Sequence, residues 1–229
     1  MEVAWIRGHH FLTGRLDASS SVVDLGAHRG EFSAELARRF GCRCFALEPV
    51  EELIREAPPH PRITVVPEAI AAADGPIVLH LKRNPEANSL LAQAPGDSAG
   101  DRTVAGTSWS SLQRRLGLDR VALLKVDIEG AELELLQALT PQELAAIEQL
   151  TVEFHAEALG GVAGIRQVVG RLRAMGFWAV RFSRGYGDVL FVNQAAFQLS
   201  LAQRLWLRHA IRNWLGFLRR ARRWAGRAQ

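Results

Sequence analysis

The chain has 229 residues, 48% of them hydrophobic, and a formal net charge of +4. This is enough for one large packed domain and lies outside the range of disordered or fibrous proteins. Because no run of eighteen apolar residues occurs and the first residues do not resemble a secretory signal, we expect a cytoplasmic protein, soluble or peripheral to a membrane. Cys42 and Cys44 stand two apart in a predicted strand, so we expect reduced core residues.

The positive charge is concentrated at one end. Residues 198–229 contain eight arginines and no acidic residue, which leaves a charge of −4 on the first 197 residues. On a helical wheel, tryptophans and leucines share one face and arginines occupy much of the other, a pattern typical of helices that lie on anionic membranes. Packing on the domain or on a second copy is the alternative, and nucleic acid is a less favoured partner. We divide the chain into a domain of residues 1–197 and a basic amphipathic tail of residues 198–229.

The predicted elements alternate between strands and helices. The first half contains a strand at 20–26, helix at 30–41, strand at 42–49, helix at 50–57, and strands at 62–70 and 75–82. Residues 83–106 have no periodicity and predict a long loop. The second half contains a helix at 108–117, strand at 121–128, helix at 130–139, strand at 147–155, helix at 162–176, and strands at 177–183 and 187–194.

This order predicts an α/β fold. Central strands that are apolar on both faces are typical of a mostly parallel sheet covered by helices on both sides. The last two strands are joined by a short connection and should form an antiparallel edge hairpin. In such sheets ligands bind at the carboxyl ends of the strands, so functional residues are expected directly after them.

The first strand ends in a turn with the pattern Asp24-x-Gly26-x-x-x-Gly30. Glycines permit a tight turn and close approach of a ligand, although a plain strand-to-helix turn looks the same. Glu48 follows the second strand, where an acid can accept hydrogen bonds from both hydroxyls of a ribose. Together the two features indicate a nucleoside-cofactor site, and the absence of dinucleotide and P-loop patterns argues against nicotinamide cofactors and ATP.

Four segments, VVDLGAHRGEF, ALEP, LLKVDIEGAELELL and VEFH, resemble in order and spacing the motifs of the FkbM family of S-adenosylmethionine-dependent methyltransferases. The resemblance implies a class I methyltransferase fold with a seven-stranded sheet, and methyl transfer that is often to oxygen. It places Asp24, Gly26, Ala27 and Gly30 at the methionine part of the cofactor, Glu48 at the ribose, and Glu68 and Ala69 beside the adenine. His28 and Arg29 replace the asparagine and apolar residue usual in the family, which affects the fine contacts to the cofactor.

Acidic residues and a histidine follow the two strands at 121–128 and 147–155. A neutral hydroxyl reacts at pH 7 only with the help of a base or a metal. If these strands are neighbours, His155 is the candidate general base and Asp127 or Glu129 its orienting partner. Lys125 and Glu153 are assigned to the surroundings of the site. A divalent cation on Asp127, Glu129 and His155 is chemically feasible but is not favoured.

Other charged residues have simpler interpretations. Glu132 is assigned to the start of the helix, where acids stabilise free N–H groups. The histidines at positions 9, 10, 60 and 80 have no evident partners and are expected on the surface. We therefore expect an O-methyltransferase that acts on a hydroxyl of a sugar or glycolipid-like molecule. The alternatives are an RNA methyltransferase held by the tail and a non-catalytic cofactor-binding scaffold.

Overall fold

The computed structural model describes residues 2–82, 89–90, 98–156, 161–183 and 185–207. Its strands are β1 (Val3–Ile6), β2 (His9–Leu12), β3 (Ser21–Leu25), β4 (Arg43–Leu47), β5 (Ile63–Val66), β6 (Ala69–Ile70), β7 (Gly75–Lys82), β8 (Ser98–Thr107), β9 (Leu123–Val126), β10 (Gln149–Val152), β11 (Phe177–Arg181) and β12 (Val189–Asn193). Its helices are α1 (Glu31–Phe40), α2 (Glu51–Ile54), α3 (Trp109–Leu116), α4 (Glu132–Ala138), α5 (Pro141–Ala145), α6 (Val162–Ala174) and α7 (Gln194–Phe197).

The central sheet has seven strands in the order β5-β4-β3-β9-β10-β12-β11. Five of them, β3, β4, β5, β9 and β10, run parallel, whereas β12 is antiparallel to both β10 and β11. The predicted mostly parallel sheet with an antiparallel edge hairpin is therefore confirmed. Strand order reverses beside β3, which puts the carboxyl ends of β3, β4, β9 and β10 side by side.

Buried residues form one layer on each face of this sheet. Val23 and Leu25 of β3 pack with residues of α3, α4 and α6, whereas Val22 packs with Phe32 and Leu36 of α1. Alternate residues of a strand point to opposite faces, so a strand covered on both sides must be apolar throughout. Cys42 and Cys44 are buried free cysteines in the second layer, as predicted.

The N-terminal segment, to which no structure was assigned from the sequence, is a β-hairpin. Strands β1 and β2 are antiparallel and are joined by Arg7 and Gly8, both with positive φ, the geometry of a tight two-residue turn. The side chain of Gln149 accepts a hydrogen bond from the Leu12 N–H at 2.9 Å and donates one to the Leu12 carbonyl at 3.0 Å. These bonds fix the hairpin to strand β10.

The prediction of a long loop over residues 83–106 is wrong for residues 98–106, which belong to strand β8. Strand β8 pairs antiparallel with β7 and parallel with β6, which forms a separate three-stranded sheet. Residues 83–88 and 91–97 of this prediction lie outside the described residues. Strand β8 is rich in residues with weak strand preference. It forms nonetheless, because the backbone of β7 provides its hydrogen bonds and local propensity does not decide its conformation.

Residues that directly follow position 197 pack against the domain. Leu199 and Leu207 are buried with the β12 residues Leu190 and Val192. Residues 201–207 are helical, and residues 208–229 of the predicted tail lie outside the described residues. No helix in the described part of the chain has the length and hydropathy needed to cross a bilayer.

Candidate active site

A cavity of about 340 Å³ opens at the carboxyl ends of β3, β4, β9 and β10. It contains most of the residues singled out in the sequence. The predicted residues that line it are Gly26, Ala27, Glu48, Glu68, Ala69, Lys125, Asp127, Glu129, Glu153 and His155. We call the side formed by Gly26, Ala27, His28 and Glu48 the glycine wall, and the side formed by Asp127, Glu129, Glu153 and His155 the acidic wall.

Gly26 brings the two walls into contact. Its φ is 74°, and a Cβ at this position would lie 1.8 Å from the carbonyl oxygen of Asp127. A side chain is therefore excluded by both conformation and space. Gly30 does not line the cavity; it precedes α1 with φ of 69° and packs closely against Ala57. The glycine pattern thus reflects backbone packing as much as access for a ligand.

Glu48 is held by backbone donors. Its two carboxylate oxygens accept hydrogen bonds from the N–H groups of His28 and Val50, each at 3.0 Å. Burial raises the pKa of Glu48 above its usual value, and the two N–H groups only partly oppose this. Each oxygen keeps acceptor capacity towards the cavity. Glu68, at the predicted adenine side, forms a two-point ion pair with Arg115.

Lys125 contacts both walls of the cavity. Its ammonium is 3.0 Å from Asp24 Oδ1, 3.6 Å from Asp127 Oδ2 and donates to the Gly26 carbonyl at 2.7 Å. Burial alone would lower the pKa of Lys125, but Asp24 and Asp127 raise it, so the residue is a cation. Asp24 is fully buried, accepts a hydrogen bond from the Ser33 hydroxyl and does not line the cavity. Its direct role is to hold Lys125.

Asp127 is surrounded by positive groups. Burial would raise its pKa, but Lys125, His9 and His155 lower it far below the usual range, so the carboxylate is ionised. His9 Nε2 lies 3.5 Å from Asp127 Oδ2, and His9 Nδ1 is 3.2 Å from the Thr151 hydroxyl. The expectation of a surface position is wrong for His9, which is completely buried because the hairpin folds its strand β2 against β10.

His155 is bound to an acid that the sequence analysis assigned elsewhere. Its Nδ1 is 2.9 Å from Glu132 Oε1, whereas its Nε2 is 3.3 Å from Glu129 and 3.8 Å from Asp127. Burial lowers the pKa of His155, but hydrogen bonds and charges from Glu129 and Glu132 outweigh it and raise the pKa to about 10. At neutral pH the ring is an imidazolium and cannot accept a proton, which argues against the predicted role as general base.

Glu132 therefore has more than the predicted helix-start function. The same oxygen that meets His155 also accepts hydrogen bonds from the N–H groups of Ile128 and Gly130. The side chain is fully buried at the beginning of α4. Neighbouring Glu129 has φ of 52°, in the left-handed region that non-glycine residues rarely adopt. This bend directs Glu129 towards His155 and separates it from α4.

Glu153 is an acid of this wall with a raised pKa. Burial raises the pKa of Glu153, and the nearby charge of Asp127 raises it further. The residue directly follows β10 and its N–H bonds to the Val126 carbonyl of β9. The predicted neighbourhood of the strands ending at Asp127 and Glu153 is thus confirmed.

Several cavity residues were missed from the sequence. Arg7 comes from the β1–β2 turn and pairs with Glu31, and Leu79 and Leu90 come from β7 and the short segment after it. A signal for the hairpin was present, since two short segments with β-branched or aromatic residues flank an Arg-Gly pair. The position of Leu79 and Leu90 depends on the three-stranded sheet, for which the sequence carries no comparable local signal.

The sheet order, with a cavity at its carboxyl edge, is that of the class I methyltransferase fold. The chain belongs to the FkbM methyltransferase family, because the model of the methyltransferase FkbM domain matches residues 24–178. Among solved structures, the chain is similar to the FkbM methyltransferase of Methylobacillus flagellatus KT, with 16% identity and a TM-score of 0.51 over 78% of this chain and 44% of that chain. The predicted family and fold are confirmed.

A second similarity is confined to a short segment. The chain is 41% identical over 49 residues to the AMB antimetabolite synthetase AmbE of Pseudomonas aeruginosa, which is 21% of this chain and 2% of the synthetase. The chain thus spans less than half of the solved FkbM methyltransferase and a small fraction of the synthetase.

Proposed function

We propose that this methyltransferase uses S-adenosylmethionine to methylate a hydroxyl oxygen. The observation that carries the proposal is the cavity itself, in which the glycine wall and the acidic wall face the same space. A tight glycine turn beside a buried acid suits a nucleoside cofactor, and a cluster of carboxylates suits the activation of a hydroxyl. Family membership supports methyl transfer, and the resemblance in the motifs supports the choice of cofactor.

The residues present fit the cofactor on physical grounds. S-adenosylmethionine supplies a methyl group on a sulfonium, whose carbon–sulfur bond breaks as the new carbon–oxygen bond forms. We assign Glu48 to the two ribose hydroxyls, because its carboxylate faces the cavity and is fixed by two N–H groups. Ile70, Leu79 and Leu90 form an apolar patch of the lining that suits the adenine ring.

The acceptor must lose its hydroxyl proton as the methyl group arrives. We assign Glu153 as the base that accepts this proton, because His155 is already protonated and Asp127 is a weak base beside Lys125. A carboxylate whose pKa is raised towards neutrality is a better base than one whose pKa is depressed. Glu153 lines the cavity, so no movement of the strands is needed for it to reach an acceptor.

The test is a calorimetric titration of the full chain with S-adenosylmethionine and with S-adenosylhomocysteine. We expect 1:1 binding that Glu48→Gln weakens at least tenfold. Glu51→Gln makes the same change three residues away, on an exposed side chain that does not line the cavity, and should leave affinity unchanged. Absence of binding to the unmodified chain would refute the enzyme proposal and the cofactor-binding scaffold together.

The target atom can be identified directly. The protein is incubated with S-adenosylmethionine carrying a ¹³C-methyl group and with a soluble sugar or an alkyl glycoside, and the product is examined by NMR. A methyl carbon bonded to oxygen supports the proposal, whereas one bonded to nitrogen or carbon contradicts it. The sugar or glycolipid-like acceptor rests on the family resemblance and on the tail, so transfer to RNA is measured in parallel.

We also propose that residues 198–229 bind an anionic membrane surface from the cytoplasmic side. The eight arginines of this segment supply the charge. At its beginning, Leu201 is 72% exposed, and Leu205 and Trp206 are about half exposed, so apolar side chains face outward next to the basic residues. Such a combination is typical of helices at membrane interfaces.

Liposome flotation tests this part. The full chain is compared with a chain ending at Leu207, because Leu199 and Leu207 are buried in the domain and must be retained. We expect the full chain to float with anionic vesicles and the shortened chain to stay in solution. Equal flotation with neutral and anionic lipid would contradict the proposal. RNA retention that depends on the tail and falls steeply with salt would favour the RNA alternative.

A further inference from the structure

Three side chains of the acidic wall present donor atoms to one point in the cavity. One donor atom from each of Asp127, Glu129 and His155 lies within 4.8 Å of the other two. The Nε2 of His155 is 3.3 Å from the Glu129 oxygen and 3.8 Å from the Asp127 oxygen. Adjacent ligands of a cation with bonds of about 2.1–2.5 Å stand roughly 3.0–3.5 Å apart, so the spacing is close to that of a ligand set.

The second polar atoms of His155 and Asp127 are already engaged. Glu132 contacts the Nδ1 of His155 at 2.9 Å, which leaves Nε2 directed at Glu129 and Asp127. A carboxylate on the second ring nitrogen is the usual support of a metal-bound histidine. Lys125 and His9 lie on Oδ2 of Asp127, so Oδ1 is the oxygen that faces His155.

A buried nitrogen beside the cluster points to a ligand independently. His9 is completely buried, and among the residues that the structure describes its Nε2 has no hydrogen-bond partner of good geometry. It is directed at the cluster, 3.5 Å from Asp127 Oδ2, and forms a second group with Asp127 and Glu153 whose donor atoms lie within 4.8 Å of one another. A buried polar atom without a partner is costly, and a water bound to a cation would provide the partner.

We propose that Asp127, Glu129 and His155 bind one divalent cation, with Mn²⁺ or Mg²⁺ as the ion. Two carboxylates and one imidazole, without a thiolate, suit these ions, and the cation would displace the Nε2 proton of His155 as it binds. The remaining coordination positions are available to water and to the acceptor hydroxyl. A coordinated hydroxyl loses its proton more readily, and the proton passes to Glu153. This catalytic part rests on the proposed function, whereas binding of the cation does not.

The binding test uses the full chain after dialysis against EDTA. Mn²⁺ is added and the unbound ion is measured by electron paramagnetic resonance. We expect one bound Mn²⁺ per chain, displaced by excess Mg²⁺. Glu129→Gln and His155→Gln should each weaken binding at least tenfold. Glu134→Gln changes an exposed acid of α4 that does not line the cavity and should bind Mn²⁺ as the unmodified chain does.

The outcomes separate the cation site from the proposed function. Circular dichroism of each variant shows whether the fold is kept, and only folded variants are compared. No Mn²⁺ binding at millimolar concentration, or unchanged affinity in both ligand variants, would overturn the cation site. Calorimetry with S-adenosylmethionine is run separately in EDTA: if cofactor binding fails while Mn²⁺ binds, only the proposed function is lost. Methyl transfer at an unchanged rate in EDTA would overturn the catalytic part.

Discussion

The two walls of the cavity are built from different parts of the chain. The glycine wall consists of backbone from one strand-to-helix turn, with Glu48 held by two N–H groups. The acidic wall consists of charged side chains, whose partners come from β2, β9 and α4. Backbone geometry formed within one short segment can bind a cofactor. Activation of an acceptor depends on charges that distant segments bring together.

The largest expected effect comes from separating the walls. Gly26→Ala would place a Cβ 1.8 Å from the Asp127 carbonyl oxygen, so we expect a loss of about 4 kcal/mol or more in the free energy of unfolding, measured with urea. Gly14→Ala is the control, because no atom of the described residues, apart from the chain neighbours of Gly14, lies within 4 Å of the added Cβ. Its stability should change by less than about 1 kcal/mol. Equal stability of the two variants would contradict the close contact between the walls.

Next in size is the buried cation that joins them. Lys125→Met leaves Asp24 ionised and buried without its partner, and we expect a loss of about 3–5 kcal/mol in unfolding free energy. Adding Asp24→Asn should recover part of it, because the unpaired charge is then removed. A double-mutant cycle from denaturant curves measures the coupling between the two residues. Strict additivity of the two single changes would show that this ion pair does not stabilise the fold.

A smaller effect is expected within the acidic wall. Glu132→Gln removes the charge that holds His155, and we expect kcat for methyl transfer to fall by about 10- to 100-fold with unchanged cofactor affinity. The comparison with Glu134→Gln, two residues along α4 and exposed, controls for loss of an acid near the helix start. Steady-state kinetics and calorimetry provide the two quantities. A parallel fall in cofactor affinity would show that the walls do not act separately.

The smallest effect is the pH dependence of the glycine wall. Burial raises the pKa of Glu48, so on acidification it gains a proton at a higher pH than an exposed glutamate and loses acceptor strength. We expect cofactor affinity to fall by up to about tenfold as the pH is lowered from 7 to 5, the equivalent of one pKa unit. Glu48→Gln should bind more weakly but with a flat profile. Calorimetry at several pH values checks this, and an equal slope in both proteins would assign the effect elsewhere.

The glycine wall was largely predictable from the sequence. Its turn, strand ends and acid lie within about 30 consecutive residues, and local patterns predict such units well. The acidic wall was predicted in its residues but not in its partners. Glu132 was assigned to the helix start alone, and His9 to the surface, because a sequence does not show which buried atoms meet across 142 residues from His9 to Thr151.

The sequence by itself determined the alternation of strands and helices, the family, and the strand ends at which Gly26, Glu48, Asp127 and Glu153 stand. These features follow from residue periodicity and from turn chemistry, which are local. Only the tertiary structure decided that Lys125 joins the two walls, that Glu132 holds His155, and that this histidine is protonated. Those outcomes depend on burial and on charges from distant segments, since both the pKa of a group and its hydrogen-bond partners are set by the atoms that surround it in the folded protein.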